Sequence, residues 1–203
     1  MAHIPDGIVS APVLLGGAAL AVAGVAIALR QLDDRAIPRT ATLSATFFAG
    51  SLIAIPVGPS SVHLLFGGLI GVMLGFMAFP AVLVALLLQT VLFGFGGLTT
   101  LGVNTVNIAL PAVLTGLALG PAIRAASPRR AAVLAAISGA LAVTGTGALV
   151  ALSLWLSSAQ YAPVAKVMLA TYLPLALGEA AVTGAAVGFL ARVQPEALRP
   201  VTA

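Results

Sequence analysis

Only two histidines occur in the chain, and one of them, His3, lies in the opening segment Met1-Ala2-His3-Ile4-Pro5-Asp6-Gly7. A free amine, a backbone amide nitrogen and an imidazole that follow one another along a chain can wrap a metal ion in fused chelate rings. Nitrogen-rich planar coordination of this kind favours Ni(II) or Cu(II). The segment therefore predicts a metal-binding tail that the rest of the chain positions.

The remainder of the chain is too apolar for a water-soluble domain. Of its 203 residues, 61% are hydrophobic and 7% are charged, and the mean hydropathy is +1.17. Soluble domains carry about 25% charged residues. Long apolar runs without period-two alternation favour helices over a β-barrel. We therefore expect an all-α integral membrane protein that forms a single transmembrane domain.

Apolar runs along the chain predict a compact bundle of about seven transmembrane helices, since a spanning helix needs roughly 20 apolar residues. The runs are 11–29, 40–55, 62–79, 81–95, 103–123, 131–156 and 163–190. We expect Pro80 to separate the third run from the fourth, and Pro174 to interrupt the last run. The chain then divides into a metal-chelating tail (1–10), a helical bundle (11–190) and a polar cytoplasmic tail (191–203).

The basic residues indicate how the bundle is oriented. Eight of the nine Lys and Arg side chains form three clusters, which are Arg30, Arg35 and Arg39; Arg124, Arg129 and Arg130; and Arg192 and Arg199. Seven spans place these clusters on one face, and positive residues mark the cytoplasmic face. We therefore expect the N-terminus outside and the C-terminus inside, in the cytoplasmic (inner) membrane. The net charge of +4 is then a topology signal, and we expect no nucleic-acid partner.

Two residues within the apolar part are further candidates for chemistry. His63 begins the third predicted span on the same face as His3, and the alternative is a capping or interfacial residue. Glu179 is the one acidic residue predicted inside a span, where charges are costly and usually functional. It could hydrogen-bond the tail, orient an imidazole or fix helix packing, and direct metal ligation is less favoured. The absence of cysteine excludes thiolate metal sites.

Several small polar residues could close a hydrogen-bond network around the tail. Asp6 either accepts backbone hydrogen bonds or belongs to an ordinary loop, while Pro5 and Gly7 suit a stiffened turn. The other candidates for this network are Ser61, Thr99, Asn104 and Asn107. Their alternative role is to satisfy irregular backbone between spans.

Four segments together resemble a known family. They are the opening tail, 60–68 around His63, 96–107 with its Gly-Gly-Leu-Thr and Asn-x-x-Asn sequences, and 175–184 around Glu179. In these segments the chain resembles the membrane substrate-capture subunit of nickel and cobalt transporters of the energy-coupling-factor type, the NikM/CbiM family. The resemblance covers nearly the whole chain.

The resemblance implies a nitrogen ligand set. In that family the metal is held by the N-terminal amine, the amide nitrogen and imidazole of the next residue, and a second histidine, which carries over to His3 and His63. Ala2 departs from the pattern. If Met1 is removed, Ala2 supplies the amine and His63 is the fourth ligand, which is the form we favour. If Met1 stays, Met1-Ala2-His3 supplies four nitrogens and His63 is displaced or axial.

The resemblance also implies high-affinity capture and uptake of Ni(II), with Co(II) as the alternative cargo. The implied partners are membrane lipid, a transmembrane coupling protein, ATPase subunits and a small accessory membrane subunit. The row Ala41, Ala45 and Ala49 resembles the family's docking row for the coupling protein, and packing within the bundle is the alternative.

Two other functions stay open on sequence alone. The chain has no Gly-Lys-Ser/Thr phosphate loop, so we expect no ATP hydrolysis, no catalytic residues and no cofactor. A stand-alone porter or channel for a small solute is the first alternative, with the histidines lining an outer vestibule. An intramembrane enzyme with Glu179 and a histidine as an acid–base pair is the second.

Overall fold

The structure, a computed structural model, describes residues 3–34, 36–53, 55–57 and 60–199. Its α-helices are α1 (Ala11–Arg30), α2 (Ala36–Ser51), α3 (Gly67–Leu74), α4 (Ala78–Phe93), α5 (Leu101–Ala125), α6 (Pro128–Ser157) and α7 (Ala162–Val193). An antiparallel pair of strands, β1 (Ile55–Val57) and β2 (Ser60–Val62), joins α2 to α3. Short 3-10 helices cover Gly75–Met77, Ala159–Tyr161 and Pro195–Leu198. The prediction of a helical bundle is confirmed, and the strand pair is an addition to it.

The longest apolar runs form helices where the sequence predicts them. The runs 11–29, 103–123, 131–156 and 163–190 each lie inside an observed helix. Proline occupies the first or second position of α1, α6 and α7, where its missing N–H group has no partner to lose. The expected interruption at Pro174 is wrong, because α7 continues through that residue.

The chain breaks between α3 and α4 at Gly75, earlier than expected. Gly75 has a φ of 54°, a conformation that suits glycine and ends α3. Pro80 instead lies in the first turn of α4, where proline is tolerated. The expected break at Pro80 is therefore wrong in position.

The α3–α4 segment is a helical hairpin. His63, just before α3, has an imidazole nitrogen 3.1 Å from that of His3. A Cβ built on Gly96, just after α4, would lie 3.3 Å from the Cβ of His3. Because both ends of the segment approach His3, the chain must reverse between them. We call this end of the bundle, where His3, His63 and Gly96 meet, the His3 end.

The predicted arginine clusters meet at the opposite end. Arg39 donates a hydrogen bond from Nη1 to the carbonyl of Arg199 at 2.8 Å, and Leu198 is buried beside it. Gln31, which follows Arg30, lines the same small cavity as Arg124. The described members of all three clusters therefore lie at one end of the bundle, as the charge pattern predicts, while Arg35 lies outside the described residues.

Five segments of the described chain are long and apolar enough to cross a membrane. They are Ala11–Arg30, Gly67–Phe93, Leu101–Ala125, Pro128–Ser157 and Ala159–Val193. One of these, Gly67–Phe93, contains both arms of the α3–α4 hairpin. With 16, 8 and 16 residues, α2, α3 and α4 are each shorter than the roughly 20 residues that a full crossing needs. The count of seven spans is therefore not confirmed, and the outward orientation of the N-terminus stays a prediction.

Glycines let α3 lie directly against its neighbours. A Cβ on Gly71 would lie 1.8 Å from the carbonyl oxygen of Ala112 on α5, and one on Gly116 would lie 2.1 Å from the carbonyl oxygen of Gly71. Across α3, a Cβ on Gly68 would lie 2.5 Å from the backbone of Gly139 on α6. This backbone-to-backbone packing holds α3, the helix that follows His63 in the chain, between α5 and α6.

Substituting Gly71 by Ala is expected to destabilise the bundle by roughly 1–3 kcal/mol, because backbone must move to admit the methyl group. Thermal unfolding in detergent, followed by the fluorescence of Trp155, measures the effect. Gly16→Ala is the matched control, since a Cβ there meets nothing within 4 Å. Equal unfolding midpoints for the two variants would contradict the packing described.

Candidate functional site

The tail is held to α5 by a side chain that pairs with its backbone. Asn104 accepts a hydrogen bond from the Ile4 amide at 2.9 Å and donates one from its own amide to the Ile4 carbonyl at 3.0 Å. The Thr100 hydroxyl donates to the same carbonyl at 2.7 Å. Asn104 and Thr100 are both buried, so the polar backbone of the tail is satisfied away from water.

Asp6 binds the start of α5. Its carboxylate accepts hydrogen bonds from the amides of Leu98, Thr99 and Thr100 at 3.0–3.2 Å and from the Thr99 hydroxyl at 2.5 Å. These N–H groups precede or begin the helix and have no partner within it. The hydrogen bond from the Thr99 hydroxyl, followed by those from the amides, lowers the pKa of Asp6. Asp6 therefore stays ionised at neutral pH, where it also suits the positive end of the helix dipole.

The turn around Asp6 depends on glycine. Gly7 has a φ of 81°, so the tight turn expected at this residue is confirmed. A Cβ on Gly97 would lie 2.0 Å from the Asp6 carboxylate, which leaves no room for a larger residue there.

The predicted network around the tail is confirmed for Asp6, Thr99 and Asn104. Asn107 instead accepts a hydrogen bond from the Ser153 hydroxyl at 3.3 Å, away from the tail. The side chain of Ser61 lies outside what the structure describes. Thr100 was not among the predicted residues, although a threonine immediately before an apolar helix is a capping signal that could have marked it.

His3 and His63 come together across a sequence separation of 60 residues. Their Nε2 atoms lie 3.1 Å apart, and the side chains are 5% and 4% exposed. The ring of Phe47 lies 6.4 Å from that of His63 and is itself buried. The expectation that both histidines lie at one end of the bundle is confirmed in position, and metal ligation by them stays a prediction.

The hydrogen bonds assign the protons on the two imidazoles. His63 Nδ1 lies 3.0 Å from the Leu64 carbonyl, which can only accept, so Nδ1 carries the proton and Nε2 has the lone pair. His3 must then donate from its own Nε2, which leaves His3 Nδ1 with a lone pair. That nitrogen is buried without a partner among the described residues. It is also the imidazole nitrogen nearer the His3 amide, as a chelate with that amide requires.

Burial keeps both imidazoles neutral. It lowers the pKa of His3 to about 3, and the neighbouring His63 contributes in the same direction. Burial also lowers the pKa of His63, although its hydrogen bond to the Leu64 carbonyl opposes this. Neutral imidazole is the form that binds metal ions.

Two imidazoles are an incomplete set of ligands. The described residues contain no group of three or more His, Cys, Asp or Glu side chains that could hold a metal ion. The remaining donors would have to be backbone nitrogens or groups outside the described residues. Met1 and Ala2, the other predicted ligands, lie outside them.

Glu179 contacts the segment after His63 and not the imidazole. Its carboxylate accepts hydrogen bonds from the amides of Leu65 and Phe66. The acid–base pair with a histidine that an intramembrane enzyme would need is therefore not formed, since the His63 nitrogens contact His3 and Leu64 instead.

Comparison with known proteins identifies the family. The profile of CbiM, described as the cobalt uptake substrate-specific transmembrane region, matches residues 3–197. The chain belongs to the CbiM family. This confirms the resemblance to NikM/CbiM substrate-capture subunits that the motifs indicated. The chain is accordingly a multi-pass membrane protein of a cobalt and nickel transport family.

Relatives in this family match the chain over nearly its full length. A putative metal transport protein of Haemophilus influenzae is 36% identical over 97% of this chain and 96% of its own. The cobalt transport protein CbiM of Sorangium cellulosum is 31% identical over 97% and 94%. The fused nickel transport protein NikMN of Rhodobacter capsulatus is 31% identical over 98% of this chain and 64% of its own.

A solved structure shares the CbiM-family fold. The crystal structure of a transition metal transporter superposes with a TM-score of 0.77 at 25% sequence identity. The match covers 94% of this chain and 93% of that one. The bundle and the hairpin described above therefore belong to a fold already seen in a transporter.

Replacing Asp6 by Ala is expected to free the start of α5 and the tail together. Amide hydrogens of Leu98, Thr99 and Thr100 should exchange roughly three- to tenfold faster, because they lose a charged acceptor. Since the pKa of Asp6 is lowered on folding, this contact is complete above the unfolded value near 4 and is lost as the pH falls through the folded value. Hydrogen exchange measured by mass spectrometry tests the prediction.

Asp34→Ala is the control for this exchange experiment, because Asp34 is also exposed but lies in the loop between α1 and α2. It should leave the exchange of Leu98, Thr99 and Thr100 unchanged. If Asp6→Ala also left it unchanged, the carboxylate would not be what holds these amides.

Proposed function

We propose that this chain captures Ni(II) from outside the cell at its His3 end, as the substrate-binding membrane subunit of an energy-coupling-factor type transporter. The observation that carries the proposal is the approach of His3 and His63, whose buried Nε2 atoms lie 3.1 Å apart. The lone pairs that could bind an ion are those of His63 Nε2 and His3 Nδ1, so a turn of the neighbouring His3 ring that brings Nδ1 towards His63 would let the two imidazoles share one ion.

The ligand set is the N-terminal amine of Ala2 after loss of Met1, the His3 amide and imidazole, and the imidazole of His63. Four nitrogen donors with a planar chelate favour Ni(II). If Met1 is retained, its amine begins the chelate instead. The lone pair on His3 Nδ1, which has no partner among the described residues, supports the His3 part of this set, because that nitrogen can close a ring with its own amide.

Co(II) is the second candidate cargo. A relative of similar length from Sorangium cellulosum carries the name cobalt transport protein, while the Rhodobacter capsulatus relative is named for nickel. Nitrogen ligands can accept either ion. Competition between the two ions for the purified protein would decide between them.

Transport requires partner subunits in this proposal. The sequence has no phosphate-binding loop, so ATP hydrolysis must come from ATPase subunits, linked through a transmembrane coupling protein. The Rhodobacter capsulatus relative is a fused protein of which this chain matches 64%, which supports a small accessory membrane subunit as a further partner. The exposed apolar helix surfaces suit membrane lipid.

Removing any proposed ligand is expected to abolish or severely weaken metal retention. His3→Ala, His63→Ala and a form extended by two residues at the N-terminus should each lose Ni(II) affinity by about 100-fold or more, measured by elemental analysis and titration. The controls are Gln160→Ala, at an exposed site near the His3 end, and the same two residues added after Ala203. Retention by the N-terminally extended form would show that the amine is not a ligand, as expected for a solute porter.

Metal affinity is expected to fall in acid. Binding releases a proton from the amine and one from the His3 amide, so below the amine pKa of about 8 the affinity should change with about two protons per metal. Titrations of Ni(II) between pH 8 and pH 6 measure this slope. An affinity that changes little over this range would indicate a site made of imidazoles alone, since burial lowers the pKa of both below the ordinary value.

A further inference from the structure

Glu179 is a fully buried carboxylate in α7, one of the helices that can cross the membrane. Its Oε1 accepts hydrogen bonds from the amides of Leu65 and Phe66, the second of them at 2.7 Å. These amides belong to residues two and three positions after His63. A buried carboxyl group is costly unless hydrogen bonds compensate it, and these two N–H groups compensate Oε1, while Oε2 has no hydrogen-bond partner among the described residues.

The contact supplies a cap that α3 lacks in its own sequence. The residue before α3 is Phe66, which has a φ of 52° and makes no side-chain capping bond. The first amides of a helix have no partner within it and together carry a partial positive charge. Glu179 meets that charge from another helix, across 113 residues of sequence. The carboxylate therefore fixes both the start of α3 and the unusual backbone at Phe66.

His63 depends on this arrangement because it lies in the irregular segment between β2 and α3. After this segment, α3 is held in place because Gly68 and Gly71 pack against the backbones of α6 and α5. At its start, the His63 ring is hydrogen-bonded to the neighbouring Leu64 carbonyl. Glu179 binds the two amides between His63 and α3, and so sets the direction of the imidazole relative to the helix.

We infer that Glu179 is a positioning residue for metal capture: it holds the Leu65 and Phe66 amides and so fixes the His63 imidazole opposite His3. This inference rests on the proposed function, in which His63 is a ligand. Glu179 itself does not touch the metal. Its effect on binding must therefore pass through His63, and this sets it apart from a residue that only stabilises the fold.

A double-mutant cycle between Glu179 and His63 tests that dependence. Cu(II) is the probe, because nitrogen sites bind it more tightly than Ni(II), and the remaining nitrogens can still give a measurable affinity without His63. E179A is expected to lower the affinity about 10- to 100-fold in the otherwise unchanged protein. In the H63A background the same substitution should change the affinity less than twofold. The visible absorption band of Cu(II) in E179A should shift towards that of H63A.

Two further variants separate positioning from general damage. Thr183→Val is the matched control, since Thr183 is fully buried one turn along α7 and its hydroxyl has no partner among the described residues. It should leave the affinity and the spectrum unchanged. E179Q keeps an oxygen that can accept both N–H groups but forms weaker hydrogen bonds than a carboxylate, so it should lose affinity several-fold, by less than about tenfold and by less than E179A.

Several outcomes would overturn the inference. They are an unchanged affinity in E179A, equal losses with and without His63, or an E179A spectrum identical to that of the unchanged protein. If E179A does not fold, E179Q replaces it in the test. E179Q must then lower the Cu(II) affinity several-fold when His63 is present and leave it unchanged in the H63A background. If the unchanged protein binds neither Cu(II) nor Ni(II), the proposed function itself fails, which is a different result from any of these.

Discussion

A carboxylate that receives backbone N–H groups at the start of a helix is the interaction on which both halves of the candidate site depend. Asp6 accepts such groups at the start of α5, and Glu179 accepts them at the start of α3. In both cases the helix begins without a capping side chain of its own, and the acceptor comes from a distant part of the chain. Each imidazole lies three residues before one of these contacts, His3 before Asp6 and His63 before Phe66. The two caps thus determine where the two imidazoles meet.

The apolar surroundings of the two imidazoles determine their protonation state. Burial disfavours protonated imidazole, and His63 then has one proton to place on its two nitrogens. Nδ1 keeps that proton and donates a hydrogen bond to the adjacent Leu64 carbonyl, so the Nε2 lone pair is directed towards His3. A hydrogen bond from the far nitrogen of an imidazole to a carbonyl also orients the ring of a metal ligand. The same feature therefore satisfies a buried polar group and prepares the nitrogen that faces His3.

The sequence was enough to predict the tail and, in Thr99 and Asn104, part of what holds it. The spacing of His3, Pro5, Asp6 and Gly7 indicates a turn with an acceptor, and the structure has both. The partners of Glu179 lie over 100 residues away, so no local pattern could identify them. Gly75 was missed as the break because proline is the stronger signal in a sequence, whereas a positive φ at glycine follows from how α3 packs. The shortness of α3 likewise follows from tertiary packing, since its sequence is as apolar as a span.

The Glu179 and Asp6 contacts differ in strength, so the segment that carries His63 is held more firmly than the tail that carries His3. Glu179 is fully buried, and hydrogen bonds to a charge are stronger where water is excluded. Asp6 is exposed, so water competes for its partners and the tail relies as well on Asn104 and Thr100 inside the bundle. Local opening has a lower free-energy cost where hydrogen bonds are exposed. The His63 half therefore serves as the rigid frame, and the His3 tail is the part whose docking completes the pair of imidazoles.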